Sequence, residues 1–395
     1  MQIKLKNSSL LRSSDPTSVR QLGKHITSRD VAARAGVSQS AVSRCFTPGA
    51  SIAKETRDKV MSVAAELGYR PNVHARNLIT GRTRIVGVVL AHLDNLFYPR
   101  FLQLLTERLQ SMGMQVLLFV ADGNQQVELM EQLLNYRVDG IVLAATTLHS
   151  DLAKACTQAG IPVVLFNRVP SNALDRAFHS VQTDQESGMS ELTRLLIHQG
   201  HRRIAFLAGN LESSTNQARE RGCRLAIEKA GFKLFAYGVG NYNESEASMV
   251  VREWFMQNNR IRNLADCPDA IVAADDRMAL AVMDTLRQEL GLSIPEQVSV
   301  VGFDDVPQAS WPAYDLTTYA QPLPQMIEAV VGLLSVQIQA QDQRKSASIM
   351  GQAVVLQGHL CLRSSVGVRE TSKPVSSRAR KGPLSTRFST STHSS

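Results

Sequence analysis

Between residues 85 and 321 short apolar runs alternate with longer amphipathic stretches, and this alternation restricts the possible folds more than any other feature of the chain. The runs Ile85–Ala91, Met114–Ala121, Gly140–Ala145, Pro162–Asn167, Arg203–Gly209, Asp269–Ala274 and Val298–Asp304 are rich in Val, Ile and Leu. They lack strict polar–apolar alternation, as strands covered on both faces must. Between them, Phe101–Met112, Gln125–Tyr136, Gln185–Gln199, Gln217–Ala230 and Met278–Leu290 carry helical spacing. Strand and helix in alternation imply doubly wound parallel sheets, and this many units exceed one sheet. Two α/β lobes with a cleft between them follow. Ligands of such sheets lie beyond the carboxyl ends of the strands, so the residues that end each run are the ones to inspect.

The length of 395 residues leaves room for a further domain, and the charge says where it lies. The net charge of +8 is segregated: residues 1–84 hold 15 Lys and Arg against 5 Asp and Glu, residues 85–362 hold 21 against 29, and residues 363–395 hold 7 against 1. A concentrated basic end on an acidic body points to a polyanion, most simply nucleic acid, met by that end. Residues 1–24 are polar and unpatterned, and the last 32 residues contain 14 Ser or Thr, so both ends are expected to be disordered. The five cysteines are scattered and form no CxxC pair, which predicts neither a disulfide framework nor a metal site. No apolar run reaches the roughly 18 residues of a membrane span, and the N-terminus lacks a secretory apolar region. A cytoplasmic location without membrane contact is expected.

The segment Ile26–Arg70 has no strand pattern and reads as three short helices, Ser28–Ala35, Gln39–Phe46 and Lys54–Leu67. Thr27 and Asp30 have capping-box spacing, Gly36 supplies a tight turn and Ser38 can cap the second helix. Val31, Ala35, Val37 and Val42 fall inward, while Gln39, Ser40 and Arg44 fall outward. A short helix, a Gly turn and a second short helix make a helix-turn-helix, whose second helix enters the major groove. Gln and Ser suit base edges, and Arg can grip guanine O6 and N7 together.

The longer string Ser28-Arg-Asp-Val-Ala-Ala-Arg-Ala-Gly-Val-Ser-Gln-Ser-Ala-Val-Ser-Arg44, with Leu67-Gly-Tyr-Arg-Pro-Asn72 and Ala75-Arg-Asn-Leu78, resembles the lactose-repressor (LacI/GalR) family of bacterial transcriptional regulators. The resemblance runs over residues 26–362. It implies a small all-α helix-turn-helix domain joined to an α/β, bilobal, periplasmic-binding-protein-like core of two doubly wound parallel sheets. It further implies DNA contacts from Ser28, Gln39, Ser40, Ser43, Arg44, Asn72, Ala75, Arg76 and Leu78. Asn72–Leu78 would be a hinge helix with Leu78 as a minor-groove wedge, a role for which an exposed Leu on a basic segment is physically suited. The domains are then a 1–24 extension, the DNA-binding domain at 25–70, a hinge at 71–84, the effector-binding and dimerisation core at 85–362, and a basic tail at 363–395. Two departures from the family stand near the second helix: Thr47 replaces a common Asn, and Cys45 sits beside it. Cys223 replaces the aromatic that usually follows Arg-x-x-Gly.

Several polar residues end predicted strands, where a cleft ligand would lie: Asn167 and Arg168 end Pro162–Asn167, Asp184 ends His179–Asp184, Asp275 and Asp276 end the run from Ile271, and Asp304 and Asp305 end the run from Val298, with Phe97 and Tyr98 beyond the first run. Carboxylates, Arg and Asn bridge vicinal hydroxyls, and aromatic faces stack on sugar C–H surfaces. The resemblance places Arg219 and Asp304 first among effector contacts, then Asp275, Asp184, Ser213 and Phe97, with Trp311 as a stacking wall. Arg219 is expected to begin a helix. A neutral sugar and a sugar acid both suit this set, and Arg168 and Arg219 lean toward the acid. No metalloprotease, serine-hydrolase, P-loop or dinucleotide motif accompanies these residues, so neither catalysis nor a cofactor is expected. The expectation is a homodimeric, ligand-responsive repressor of carbohydrate or sugar-acid genes on a palindromic operator. A bilobal sugar receptor or transport component without a DNA role, a fused sugar-metabolising enzyme, and a corepressor-dependent regulator are the alternatives.

Overall fold

The computed structural model describes residues 26–47, 49–71, 82–90, 93, 95–120, 126–144, 150–168, 178–342 and 351–369. The chain divides into two units, Met1–Arg82 and Thr83–Ser395. The first contains α1 (Ser28–Ala35), α2 (Gln39–Cys45) and α3 (Lys54–Leu67). Val31, Ala32, Ala35, Val42, Cys45, Val60 and Ala64 form its buried core. The Asp30 carboxylate accepts from the Thr27 backbone N–H at 2.8 Å and from its hydroxyl at 2.7 Å, which fixes the start of α1. Gly36 and Gly68 end α1 and α3 at φ values of 65° and 66°, the left-handed C-cap that costs glycine nothing.

The second helix ends at Cys45, one residue before the expected Phe46. Its last turn is finished by neighbours: the Thr47 hydroxyl donates to the Ser43 carbonyl at 2.9 Å, and Arg57 donates to the Cys45 carbonyl at 3.3 Å. Thr47 thus supplies a C-terminal cap in its own right. Cys45 points into the core, away from the outer face of the helix.

The second unit contains both sheets. Strands β1 (Ile85–Leu90), β2 (Gln115–Val120), β3 (Gly140–Ala144), β4 (Val163–Phe166), β5 (His179–Thr183) and β13 (Ala353–Leu356) make one, in the order β13-β5-β4-β3-β1-β2. Strands β6 (Ile204–Ala208), β7 (Ala236–Val239), β10 (Ala270–Ala273) and β11 (Ser299–Val301) make the other, in the order β11-β10-β6-β7. Every pairing within the two sheets is parallel. Helices α4 (Phe97–Ser111), α5 (Gln126–Asn135) and α6 (Ser150–Gln158) belong to the first lobe. Helices α7 (Gln185–His198), α8 (Ser214–Lys229), α9 (Glu244–Phe255) and α10 (Asp276–Asp284) belong to the second. A hairpin of β8 (Met256–Gln257) and β9 (Arg260–Ile261) follows α9.

The chain changes lobes after β5, after β12 (Thr318–Ala320), and after β13, where β14 (His359–Cys361) returns to pair antiparallel with β12. Helix α11 (Leu323–Asp342), which follows β12, is the one described helix long and apolar enough to cross a membrane. It lays Met326, Ile327, Val330, Val331 and Leu334 into the core instead.

Three sequence boundaries shift. Helix α4 starts at Phe97, four residues before the expected Phe101, and places Phe97 and Tyr98 in its first turn. Helix α8 starts at Ser214, so Arg219 lies in its second turn and does not begin it. The ordered body continues past 362 to Arg369: Ser365 is fully buried, donating to the Val300 carbonyl at 2.6 Å and accepting from the Thr317 N–H at 2.8 Å. The tail boundary expected at 363 is therefore too early. A serine-rich stretch reads as solvated on composition, but the Ser365 hydroxyl is spent on strand-edge hydrogen bonds. The 1–24 extension and residues 370–395 lie outside the described residues.

Helices α7 and α8 meet without a spacer because Gly222 stands at their crossing. A Cβ there would collide with the Glu186 carbonyl oxygen and come within 3.1 Å of the Ser190 nitrogen, both backbone atoms that cannot swing aside. Gly222→Ala is expected to cost about 2 kcal/mol by overpacking, read as a lower urea midpoint of the second unit. An unchanged midpoint would mean the helices are free to separate.

Candidate functional site

Two sites emerge, one in each unit. In the first, α2 is seven residues long, and Val42 and Cys45 take its inner side. Gln39, Ser40, Ser43 and Arg44 are left exposed on one outer face, the i, i+1, i+4, i+5 set. Ser38 accepts from the Ala41 N–H at 3.2 Å and so caps the helix end nearest Gln39 and Ser40. Gln39 donates through Nε2 to the half-buried Ser28 hydroxyl at 2.9 Å, which ties the first residues of α1 and α2 together. Asn72, Ala75, Arg76 and Leu78 lie outside the described residues.

In the second unit the carboxyl ends of both sheets face one another, and a buried polar network fills the space between. Arg219, 3% exposed, donates through Nε to Gln185 Oε1 at 2.8 Å, through Nη1 to the Ala274 carbonyl at 2.5 Å, and through Nη2 to Asp304 Oδ1 at 3.0 Å. Its guanidinium lies 3.9 Å from the Phe303 ring centroid. The same Asp304 oxygen accepts from Gln321 at 2.7 Å, and Gln321 accepts from Thr183 at 2.7 Å. Gln185 donates to Asn167 at 2.8 Å, so one chain of bonds joins the end of β4 in the first lobe to the end of β11 in the second. Asn95 donates to Asp275 at 3.4 Å, a second bridge across the lobes. Asp304 and Asn167 have φ values of 124° and 50°, backbone conformations that the surrounding bonds must hold in place.

The electrostatics follow from burial. Burial alone would lower the Arg219 pKa, but Asp304, Tyr242 and Asp275 hold it above its usual value, so the guanidinium stays charged. Burial raises Asp304 more than Arg219 and Gln321 lower it. Burial and then the Asp304 charge push Asp275 up to about 7 and Asp276 up to about 8. Tyr98 is raised by burial and then by Asp304, Tyr242 and Asp275, which places its hydroxyl in the same cluster. Phe97 packs edge-on against Tyr98 at 5.4 Å and stacks on Phe166 at 6.3 Å, forming the apolar wall on the first lobe.

Carboxyls with pKa values raised above the ordinary 3.8 hold protons in the folded chain that they lose on unfolding. Their contribution to stability is therefore complete below 3.8 and is lost as the pH rises through about 7 and 8. Asp276 accepts from the Thr318 hydroxyl at 2.6 Å and from the Val306 N–H at 2.9 Å, two bonds an Asn can replace by letting Thr318 accept. Asp276→Asn is expected to flatten the fall in urea midpoint between neutral and mildly alkaline pH. An unaltered pH profile would place the titration elsewhere.

Comparison with known proteins bears on both units. A sequence-family model described as bacterial regulatory proteins of the lacI family matches residues 27–72. One described as periplasmic binding proteins and the sugar binding domain of the LacI family matches residues 83–349. The chain belongs to the LacI family. It is a DNA-binding transcriptional regulator, as its relatives are. The HTH-type transcriptional regulator AscG of Escherichia coli (strain K12) is 30% identical, with 83% of this chain and 96% of that protein covered. A solved lac repressor dimer bound to operator and the anti-inducer ONPF is 25% identical at a TM-score of 0.74, covering 87% of this chain and 100% of that one. A transcriptional regulator CelR–cellobiose complex is 28% identical at a TM-score of 0.63, covering 86% and 99%.

Within this LacI-family core, the cleft gathers Phe97, Tyr98, Asn167, Arg219, Asp275 and Asp304 from the sequence-derived set, with Arg168 half-buried beside Asn167. Three others do different work. Asp184 caps α7, accepting from the Ser187 N–H at 3.0 Å and from Gln357 at 2.9 Å. Ser213 caps α8 and shares a 2.7 Å bond with Thr215, close to the Tyr242 hydroxyl. Trp311 is 52% exposed, and among the described residues its ring stacks on none of the cleft aromatics. Cys223 is fully buried against Thr193 of α7 and not in the cleft. Gln185, Gln321, Asn95 and Tyr242 escaped sequence reading. Gln185 directly follows Asp184, one position beyond the strand end, and Asn95 lies between the first run and Phe97. Gln321 and Tyr242 belong to connections with no apolar run to mark them.

Proposed function

We propose that the regulator is a repressor whose cleft binds a neutral, hydroxyl-rich small molecule, a sugar, and that this ligand sets its affinity for DNA. The observation that carries this reading is the buried Arg219–Asp304–Gln185–Gln321 network between the facing sheet ends, which offers fixed donors and acceptors beside an aromatic wall. Three N–H directions of Arg219 are already committed to Gln185, Ala274 and Asp304. Asp304 already pairs with the buried guanidinium, and the rise of Asp275 to about 7 means that a further negative charge beside it is disfavoured. A sugar acid would add such a charge, whereas sugar hydroxyls can donate to Asp275 and Asp304 and accept from the amides. The cellobiose in the CelR complex is a neutral sugar of this kind.

DNA recognition is assigned to Gln39, Ser40, Ser43 and Arg44 on α2, supported by Ser28. Asn72, Ala75, Arg76 and Leu78 complete it as a hinge within residues 71–84 that folds on pairing with its mate, since a segment that short is not a stable isolated helix. A homodimer would set two copies of α2 in successive major grooves of a palindromic operator, one helical turn apart. The protein then works in the cytoplasm, where that DNA is. A ligand that favours one closure of the lobes over the other shifts the population competent to bind DNA.

A thermal-shift screen of neutral sugars and sugar acids tests the assignment, because a ligand of the native state raises the melting temperature by mass action. A neutral sugar should raise it and a sugar acid should not. The reverse ranking would overturn the charge argument. Titrating DNA affinity with and without the hit then gives the sign, inducer or corepressor.

A further inference from the structure

Asn95 stands apart from the chain of bonds that runs through Arg219, and it works in both lobes at once. Its Oδ1 accepts from the Phe97 backbone N–H at 3.0 Å, and its backbone carbonyl accepts from the Tyr98 N–H at 3.1 Å. Both bonds lie at the start of α4, so Asn95 fixes the two aromatics that wall the first lobe. Its Nδ2 donates to Asp275 Oδ2 at 3.4 Å. Asp275 is 1% exposed and caps α10 in the second lobe, where its Oδ1 accepts from the Met278 N–H at 2.9 Å.

The direction of the cross-lobe bond is set from both sides. A backbone N–H can only donate, so Phe97 claims the Asn95 oxygen and turns the amide nitrogen toward Asp275. In the same way Met278 claims one oxygen of Asp275 and leaves the other for Asn95. Holding the start of α4 explains the Asn95 oxygen but not the nitrogen: an aspartate would accept from Phe97 equally, and its charge would suit a helix start better. The place of the bond matters too. Thr183, Gln185 and Gln321 lie at or beside points where the chain itself passes between the lobes, so covalent structure already holds those groups near one another. Asn95 and Asp275 lie on loops that each stay within one lobe, and their side chains join them. At 3.4 Å the bond is longer than the usual range of about 2.7–3.2 Å, so slight closure of the lobes strengthens it and slight opening breaks it.

We infer that Asn95 positions the two lobes against each other, holding the Phe97–Tyr98 wall in register with the carboxylates of the second lobe, so that loss of its amide donor opens the cleft. What this does to sugar affinity rests on the reading proposed above. The holding of the lobes does not, and it is measurable with neither sugar nor DNA present.

Asn95→Asp, Asp275→Asn and the two combined form the test, each in the full chain at about pH 9. Burial and then the Asp304 charge push Asp275 up to about 7, so at that pH it is ionised. Asn95→Asp keeps the acceptor for Phe97 and sets two carboxylates face to face. Asp275→Asn keeps the acceptor for Met278 and sets two amide donors face to face. The combination restores one donor and one acceptor with the direction reversed. Each single variant should show a larger radius of gyration by small-angle X-ray scattering, and the combination should recover that of the unmodified chain. Asn95→Asp should also lower the urea midpoint. In the double-mutant cycle the two positions should be coupled by roughly 5- to 100-fold in the unfolding equilibrium constant, as residues in contact are, and the cycle cancels what Asp275→Asn does to Asp304 alone. Additive single effects overturn the inference. An Asn95→Asp protein with the midpoint and dimensions of the unmodified chain overturns it as well, because the side chain then serves only Phe97. Coupling without a change of dimensions also counts against it, since the bond then forms without holding the lobes. If the repulsive variants do not fold, Asn95→Ser, which keeps an acceptor for Phe97 but is too short to reach Asp275, takes their place and its radius of gyration decides. Failure here leaves the sugar reading intact, and a thermal screen without a neutral-sugar hit leaves these ligand-free results unchanged.

Discussion

Arg219→Ala is expected to destabilise the second unit by about 3–5 kcal/mol and to abolish its response to the effector. The substitution leaves Asp304 buried without its counter-charge and Gln185 and the Ala274 carbonyl without a donor. Removing one member of a buried ion pair costs that much because the partner stays desolvated. Both carboxylates would rise further in pKa, and Asp304 would take up a proton at neutral pH to limit the cost. The melting temperature should fall by on the order of 10 °C. Because so large a fall also weakens binding indirectly, Arg219→Lys serves beside it. Lysine keeps the charge but cannot make the three divergent bonds, so it should retain most of the stability and still lose the ligand-induced shift. A Lys variant with an unimpaired ligand response would show that the guanidinium holds the fold together and does not shape the site.

On the DNA side, Arg44→Ala should weaken binding to a selected operator by roughly 10- to 100-fold, the value of about 1–3 kcal/mol for one bidentate arginine–base pair. The side chain is exposed and α2 is held by Val42, Cys45, Ser38 and Arg57, so the fold should not suffer. The loss should be concentrated at one base pair of each half-site. Electrophoretic mobility shifts on operators altered one base pair at a time provide the readout. A uniform loss across all sequences, accompanied by a smaller salt slope, would mean that Arg44 contacts phosphate and not a base.

Much of this was legible in the chain because it depends on local rules. The helix-turn-helix helices α1 and α3 appear where Thr27, Asp30, Gly36 and Gly68 put them, since caps and left-handed turns are set by residues within one turn of the boundary. Most of the buried strands appear as Val- and Ile-rich runs because cover on both faces favours apolar side chains, whereas β5, His-Ser-Val-Gln-Thr, is buried throughout and carries no such signal. What was not legible depends on tertiary placement. Strand β7 is a four-residue edge strand, partly exposed and only mildly apolar, and offers no run to read. Ser365 looks like a solvated tail residue until Thr317 and Val300 are brought to it. Asp184 and Asp275 both end strands, yet Asp184 spends its oxygens on a helix cap and Gln357 while Asp275 caps α10 and also faces Asn95 across the lobes. Both are aspartates within two residues of a strand end that cap the next helix, and what separates them is the contact with Asn95 across the lobes.

The same logic explains why Gln185 and Gln321 matter although neither is charged. Each bridges two groups that could not be satisfied alone: Gln185 links Arg219 to Asn167, and Gln321 links Asp304 to Thr183. An amide carries both a donor and an acceptor, so it can pass a hydrogen-bonded chain through a low-dielectric interior without adding charge. The lobes are thereby coupled at their strand ends, where a ligand would replace or extend these bonds.

The coupling is tested most directly by measuring the affinity of a selected operator duplex by fluorescence anisotropy, with and without the sugar found in the thermal screen, in the unmodified chain and in Asp304→Asn. Asparagine keeps the shape of Asp304 and removes the charge that holds Arg219 and Gln321. The expected result is at least a 10-fold ligand-induced change in operator affinity in the unmodified chain, the coupling of about 1.4 kcal/mol typical of such switches, and no change in Asp304→Asn, with the ligand-free affinities of the two agreeing closely. The same ligand-induced change in both proteins would contradict the assignment of the cleft network as the effector switch.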